Sequence, residues 1–269
     1  MVTVDFVDDL AVTMLDPGDL SRYAIFWDEK APQQAEIDWS IRDDLAVRAH
    51  RAMERHVDRP LPVQMKLEKR IPVGGGLGGG SSNAAGMLRA LNQLFALNLG
   101  GEALNTLAAS IGSDVPFFLH GGSALVRGLG ESIEPHPQPP VLSAVLVLPP
   151  FACPTGAVYK AFDTQPMATF QDAEVEAQFT TTPDGASFFN DLAAPAMIVE
   201  PALRDIHDRL IACTGGPVHL SGSGSTLFIP CSDSMHAATV AAAVHDQLDV
   251  PAVAVTTCTL TPDLLETVS

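Results

Sequence analysis

The chain is 269 residues long, 46% hydrophobic and 17% charged, with 15 Lys and Arg against 32 Asp and Glu and a formal charge of -17. General disorder is excluded, because a chain of this size buries roughly 70–75% of its unfolded surface and so offsets the entropy of ordering. The acidic balance also excludes a general binder of nucleic acid or anionic membrane, so an anionic small ligand would have to be held by local N–H groups and a few placed cations.

Cys153, Cys213, Cys231 and Cys258 lie far apart and form no C-x-x-C pair. Neither a disulfide scaffold nor a structural zinc site is indicated, and a reducing cytoplasm fits best. The N-terminal stretch carries Asp5, Asp8 and Asp9 and no basic residue, which argues against a signal peptide. The most apolar stretch, from Pro139 to Pro154, is too short to span a membrane and reads as a buried strand running into a turn.

In chain order, Val2 to Leu15 alternates and reads as one or two strands with a turn near Asp8 and Asp9. Asp16 to Ser40 reads as a polar connection. Leu45, Ala49, Ala52, Met53, His56 and Val57 then recur at three and four residue spacing, behind Asp43 and Asp44 at the end where a helix favours carboxylates. This predicts a helix with His56 on its apolar side. From Val63 the period becomes two: Val63, Met65, Leu67 and Ile71 face one way, a half-buried strand. Lys69 shares that parity, and either snorkels at the strand end or points into a ligand cleft.

Next comes Ile71-Pro-Val-Gly-Gly-Gly-Leu-Gly-Gly-Gly-Ser-Ser-Asn83, followed by Ala84, Met87, Leu88 and Leu91 at helical spacing. Glycines at 74, 75, 76, 78, 79 and 80 cost about 0.5–1 kcal/mol each against alanine, so the loop is expected to have a structural use. They permit a tight turn, Ser81 or Ser82 can cap the helix, and exposed N–H groups of the loop and first turn form an anion cradle. The loop is no Walker A sequence, since no Lys follows in a G-K-[ST] arrangement. No ribose-binding acid appears where a dinucleotide fingerprint needs one. Phosphate binding follows from this loop; the chemistry done to the phosphate does not.

Glu102 to Ile111 has helical character, and Gly112 to Gly122 then breaks periodicity. Within it Asp114 is either a helix cap or a catalytic carboxylate; in a cleft, Phe117 and Phe118 would dry its surroundings and suit it to act as a base. Ser123 to Arg127 reads as a strand, Gly128 to Gly130 as a turn, and Val141 to Leu148 as a central strand. Asp163 to Gly185 is weakly patterned. Helices are predicted through Ile198, from Pro201 to Leu210 and from Met235 to Leu248, with a final strand over Val253 to Leu260. Between strand-like Val218 to Leu220 and Thr226 to Ile229, the Ser-Gly-Ser-Gly-Ser segment is either a hairpin turn or a loop that approaches a ligand or braces the first glycine loop.

Three blocks in this order resemble the GHMP kinase superfamily, and within it the kinases of a cytidyl-diphospho-methylerythritol substrate: IPVGGGLGGGSSNAA at 71–85, GSDVPFFLHGGSALVRGLGE at 112–131 and LSGSGSTLFIP at 220–230. Asn190-Asp191-Leu192 is similar as well. The resemblance implies an α+β GHMP kinase fold: a ribosomal-protein-S5-like N-terminal domain over 1–138 and a C-terminal α/β-sandwich domain over 139–269. It implies ATP and Mg2+ as cofactors and a cytidyl-diphospho sugar alcohol as small-molecule substrate, with neither nucleic acid nor membrane as partner. Lys69, Pro72, Gly74, Gly75, Gly76, Gly78, Gly79, Gly80, Ser81, Ser82, Gly222 and Gly224 would hold the nucleotide, Ser82 would touch the metal, and Asp114 would be catalytic. A monomer or weak homodimer is expected. Asn83 stands where this family commonly has Asp, which keeps a capping oxygen and removes a charge. The family's opening Lys-(Ile/Leu)-Asn-Leu strand and Asp-Gly-Tyr-His segment have no counterpart after Met1, and upstream DNA is expected to encode them. A homoserine- or mevalonate-type kinase, or a catalytically impaired nucleotide-binding homologue, would keep the same phosphate loop.

Overall fold

The computed structural model describes residues 1–136, 141–165, 173, 175–176 and 188–258. Its N-terminal half is a three-stranded sheet backed by helices. Strand β1 (Asp9–Met14) runs antiparallel and β2 (Arg22–Trp27) parallel to the middle strand β3 (Val63–Lys69). Strand β2 lies inside the segment read as a polar connection, a correction. Its Tyr23, Ile25 and Trp27 are half-buried while Arg22, Ala24 and Phe26 are exposed, the alternation of a sheet edge with one covered face.

Helix α1 (Leu45–Val57) starts at Asp44, whose carboxylate accepts from Ala46 N at 2.9 Å and Val47 N at 3.4 Å. It stops at Asp58, which adopts a left-handed conformation. The buried histidine is His50, not His56, which is exposed. The His50 ring bonds to the Tyr23 hydroxyl at 2.8 Å and the Leu61 carbonyl at 2.7 Å, so it joins helix to sheet. Helix α2 (Gly79–Leu94) packs along α1, and Met53, Met65, Leu67, Met87, Leu88 and Leu91 are fully buried between the two helices and the sheet. Each contributes about 1.5–3 kcal/mol by burial. Helices α3 (Gly101–Ile111) and α4 (Val115–His120) and the hairpin β4 (Ala124–Arg127) and β5 (Ser132–Pro135) complete this half. Helix α4 replaces the aperiodic stretch expected there.

In the C-terminal half, helix α5 (Thr155–Phe162), α6 (Ala193–Val199), α7 (Pro201–Thr214) and α8 (Ser234–Leu248) accompany an antiparallel sheet. The order of that sheet is β7 (His219–Leu220), β8 (Leu227–Cys231), β6 (Ser143–Val147) and β9 (Ala252–Thr256). Strand β6 is central, as expected, and covered on both faces. Val145 and Val147 enter a core with Leu203, Leu210, Leu227 and Val244, while Leu146 and Leu148 meet Val4, Phe6 and Leu77 on the other side. Burial of alternate residues in two cores explains its unbroken apolar run. Most of the weakly patterned stretch from Asp163 to Gly185, and the end of the predicted last strand beyond Cys258, lie outside the described residues.

The segment before β1 stitches the halves together. Thr3 N donates to Gly122 O at 2.8 Å, while Asp5 N donates to Thr256 O at 3.0 Å and Cys258 N to Thr3 O at 3.0 Å. Val2 and Val4 therefore form single bridges, to Ser123 and Thr257, and a continuous strand begins only at Asp9.

Candidate active site

The glycine loop leaves β3 and enters α2 through three left-handed glycines, Gly74, Gly76 and Gly78. Two of them are irreplaceable for steric reasons as well. A Cβ on Gly76 would lie 2.2 Å from the Ser221 carbonyl oxygen, and one on Gly78 would lie 2.7 Å from the Phe118 ring. Helix α2 begins at Gly79 with Gly78 as its N-cap, and no side chain caps it. Neither Ser81 nor Ser82 has the capping role expected of it: Ser82 N already bonds Gly78 O at 2.9 Å, and Ser82 Oγ donates to Gly79 O at 2.8 Å within the first turn. The N–H groups of Gly79, Gly80 and Ser81, which a helix cannot satisfy internally, have no acceptor among the described residues.

The Ser-Gly-Ser-Gly-Ser segment is both a hairpin connection and a brace. Strands β7 and β8 pair through it, Ser221 Oγ donates to Gly76 O at 2.9 Å, and Thr226 N donates to Gly75 O at 3.0 Å. Gly222 and Gly224, both left-handed, lie in this contact. Asn190 holds the segment from behind, its amide donating to Leu220 O at 2.9 Å and Gly222 O at 2.8 Å. Ser225 Oγ bonds Phe151 O, and Ser223 Oγ pairs with Thr155 Oγ1 at 2.9 Å. Cys153 packs beside Gly224; burial first, then the Glu200 charge, pushes its thiol above the usual range, so it is an inert filler.

Asp8 is the residue that sequence reading missed. Its fully buried carboxylate accepts from Lys69 Nζ at 2.6 Å, Arg70 N at 2.7 Å, Ile71 N at 2.8 Å and Asn83 Nδ2 at 2.8 Å. One side chain thereby ties the end of β3, the entry of the loop at Pro72 and the first turn of α2. Lys69, with a side chain 5% exposed, neither snorkels to solvent nor offers a free ammonium to the cleft. Asn83 spends its amide on Asp8 and caps nothing; a second carboxylate at 83 would face the first. The signal was parity, since Phe6, Asp8, Leu10 and Val12 are all half-buried between exposed neighbours. Outside this clasp, Arg70 bonds Asp28 at 2.5 Å and Asp9 at 2.6 Å, and these two contacts, Asp28 first, hold its guanidinium above the ordinary value.

Asp114 stands at the head of α4 but does not cap it. Its backbone is already helical at φ -89 and ψ -14, and among the described residues its carboxylate accepts only from the neighbouring Ser113 Oγ, at 3.4 Å. It is exposed, so Phe117 and Phe118 do not dry it as anticipated: Phe117 is buried in the core and Phe118 covers Gly78. The same contact sets α4 against the glycine loop, and Arg89 of α2 reinforces it by bonding Leu119 O. Gly130 lets the β4–β5 turn close on Ser113.

Glycine loop, bracing hairpin and a carboxylate-headed helix beside them define a GHMP kinase. The GHMP kinases N terminal domain model matches residues 44–122 and the GHMP kinases C terminal model residues 160–250. The chain is 38% identical to 4-diphosphocytidyl-2-C-methyl-D-erythritol kinase of Caulobacter vibrioides (strain NA1000 / CB15N) over 213 residues, 72% of this chain and 70% of that protein. A crystal structure of 4-(cytidine 5'-diphospho)-2C-methyl-D-erythritol kinase superposes with a TM-score of 0.74 at 32% identity, covering 94% of this chain and 87% of that one. Homoserine kinase from Cytophaga hutchinsonii ATCC 33406 shares the fold, with a TM-score of 0.67 at 16% identity, covering 96% and 88%. The chain belongs to the 4-diphosphocytidyl-2-C-methyl-D-erythritol kinase family.

Proposed function

We infer that the chain transfers the γ-phosphoryl group of ATP to the 2-hydroxyl of 4-diphosphocytidyl-2-C-methyl-D-erythritol, giving the 2-phosphate and ADP in non-mevalonate isoprenoid precursor biosynthesis. Membership of the family supports the reaction, and the uncapped start of α2 carries the assignment of its site. Donors with no acceptor among the described residues, beside a loop where Gly76 and Gly78 leave no room for a Cβ, fit a phosphate chain.

In this reading Gly74, Gly75, Gly76, Gly78, Gly79, Gly80 and Ser81 supply the backbone cradle, and Pro72 fixes its entry. Gly222 and Gly224 let the second loop approach and hold Gly75 and Gly76 in place. Lys69 acts from behind, by fixing Asp8 and through it the loop. Among the described residues no group of three or more His, Cys, Asp or Glu could hold a metal ion; Mg2+ would be held mainly through substrate phosphates and water. The Ser82 oxygen, whose proton is given to Gly79 O, has lone pairs that would be open to such an ion, which would supply charge neutralisation at the phosphates. Asp114 orients the acceptor hydroxyl and takes its proton as the oxygen bonds to the γ-phosphorus and the bond to ADP breaks. Positioning supplies most of the rate.

The halves 1–138 and 139–269 act as the two domains, and the protein works in the cytoplasm as a monomer or weak homodimer. Among the described residues no helix is long and apolar enough to cross a membrane. The acceptor is tested by offering the cytidyl-diphospho substrate, homoserine and mevalonate with magnesium-ATP and following ADP and new phosphomonoester signals. Turnover of the first alone is expected; preferred turnover of either of the others would reassign the substrate.

A further inference from the structure

Four of the 15 basic side chains in a chain of formal charge -17 converge on a single cavity whose lining includes no residue of the glycine loop. Arg42, Arg48, Arg51 and Arg55 line it together with Ser110 and Ile111 at the end of α3, and its volume is about 210 Å3. Arg48, Arg51 and Arg55 recur at three and four residue spacing, so three guanidinium groups share one face of α1, where like charges repel.

Among the described residues none of the four is ion-paired to a carboxylate. Arg48 donates to the Ile111 carbonyl at 3.4 Å and Arg51 lies against the Tyr23 phenol, both neutral partners. Two carboxylates of this helix are engaged elsewhere: Asp44 caps α1, and Glu54 accepts from Leu61 N at 3.0 Å. In so acidic a protein, a cavity walled by arginines with no ion-pair partner among the described residues suits an anion from solution.

We propose that this cavity binds a small phosphate-type polyanion, inorganic diphosphate in preference to phosphate. Guanidinium groups match phosphate oxygens in bidentate geometry, and several can share the oxygens of one diphosphate. The cavity, at about 210 Å3, falls below the roughly 300–1,000 Å3 of pockets that enclose larger ligands, which favours a small anion. Ser110 and Ile111 stand just before Gly112 and Asp114, so a bound anion also tethers the connection that leads into the catalytic segment.

The test is calorimetric titration of diphosphate, and of phosphate, into the parent, Arg55→Gln, Arg51→Gln/Arg55→Gln and, as a glycine-loop control, Gly76→Ala. Diphosphate affinity is expected to fall about tenfold in the single variant, consistent with loss of one charge-assisted contact, and to vanish in the double. It should persist in Gly76→Ala, and affinity for a non-hydrolysable ATP analogue should stay within about twofold in the arginine variants. Because Arg55 is exposed and its neighbours repel it, Arg55→Gln should melt no lower than the parent without anion. Unchanged diphosphate affinity in the double variant, loss of it in Gly76→Ala, or a lower melting point of Arg55→Gln would each overturn the proposal.

Discussion

Replacing Asp8 by Ala removes the acceptor of four hydrogen bonds, from Lys69 Nζ, Arg70 N, Ile71 N and Asn83 Nδ2, in a place where the carboxylate is fully buried and the Lys69 side chain is 5% exposed. The ammonium is left without its countercharge and cannot reach water without moving the end of β3. Deleting one partner of a buried pair costs about 3–5 kcal/mol. For a domain of roughly 150–250 residues each kcal/mol moves the melting temperature by about 2–4 °C, so Asp8→Ala should melt about 6–20 °C below the parent. Taking the second charge away as well, in Asp8→Ala/Lys69→Met, should recover much of that loss, since apolar replacement of a whole buried pair is often close to neutral. Calorimetry or circular dichroism on the parent, both single variants and the double completes the cycle. If Asp8→Ala lost under about 1 kcal/mol, or if the double variant melted no higher than Asp8→Ala, the clasp would not exist as described.

Gly76→Ala, which forces a Cβ to 2.2 Å from Ser221 O at a φ of 75°, should cost about 1–3 kcal/mol of stability and weaken ATP binding tenfold or more by separating the two loops; equilibrium unfolding and nucleotide titration check both. Saturating magnesium-ATP should slow amide exchange across residues 74–85, and equal exchange with and without nucleotide in the folded protein would remove the phosphate cradle. In acid, Asp28, held low first by the Lys30 N–H and then by Arg70, and Asp233, held low first by the His236 N–H, have folded values below the ordinary 3.8. Their contributions are complete above that value and disappear as pH falls below it, so neutralising either side chain should reduce the drop in melting temperature between pH 5 and pH 3.

The setting of the glycine loop was legible because its signal is local: a period-two strand, a glycine run and a period-3.6 helix in direct succession. The brace was only half legible. Composition marked 221–225 as a segment able to approach another backbone, but the hydrogen bond from Ser221 to Gly76 spans 145 positions, and no local pattern encodes it. Strand β2 was hidden because one covered face leaves only Tyr23, Ile25 and Trp27 as its signal within a polar segment. Helix α4 was hidden because its six residues give periodicity too few turns to appear. Asp114 was ambiguous between cap and carboxylate for a reason only dihedral angles resolve: a capping side chain needs an extended backbone, and Asp114 is helical.

The kinase mechanism stands or falls on Asp114. Its side chain caps nothing, so Asp114→Asn should leave melting temperature and ATP affinity nearly unchanged while removing the group that accepts the acceptor's proton. The decisive measurement is kcat for phosphorylation of 4-diphosphocytidyl-2-C-methyl-D-erythritol by parent and variant. A fall of about 10²-fold or more is predicted. A kcat within about threefold of the parent would contradict the assignment and leave the glycine loop without its catalytic partner.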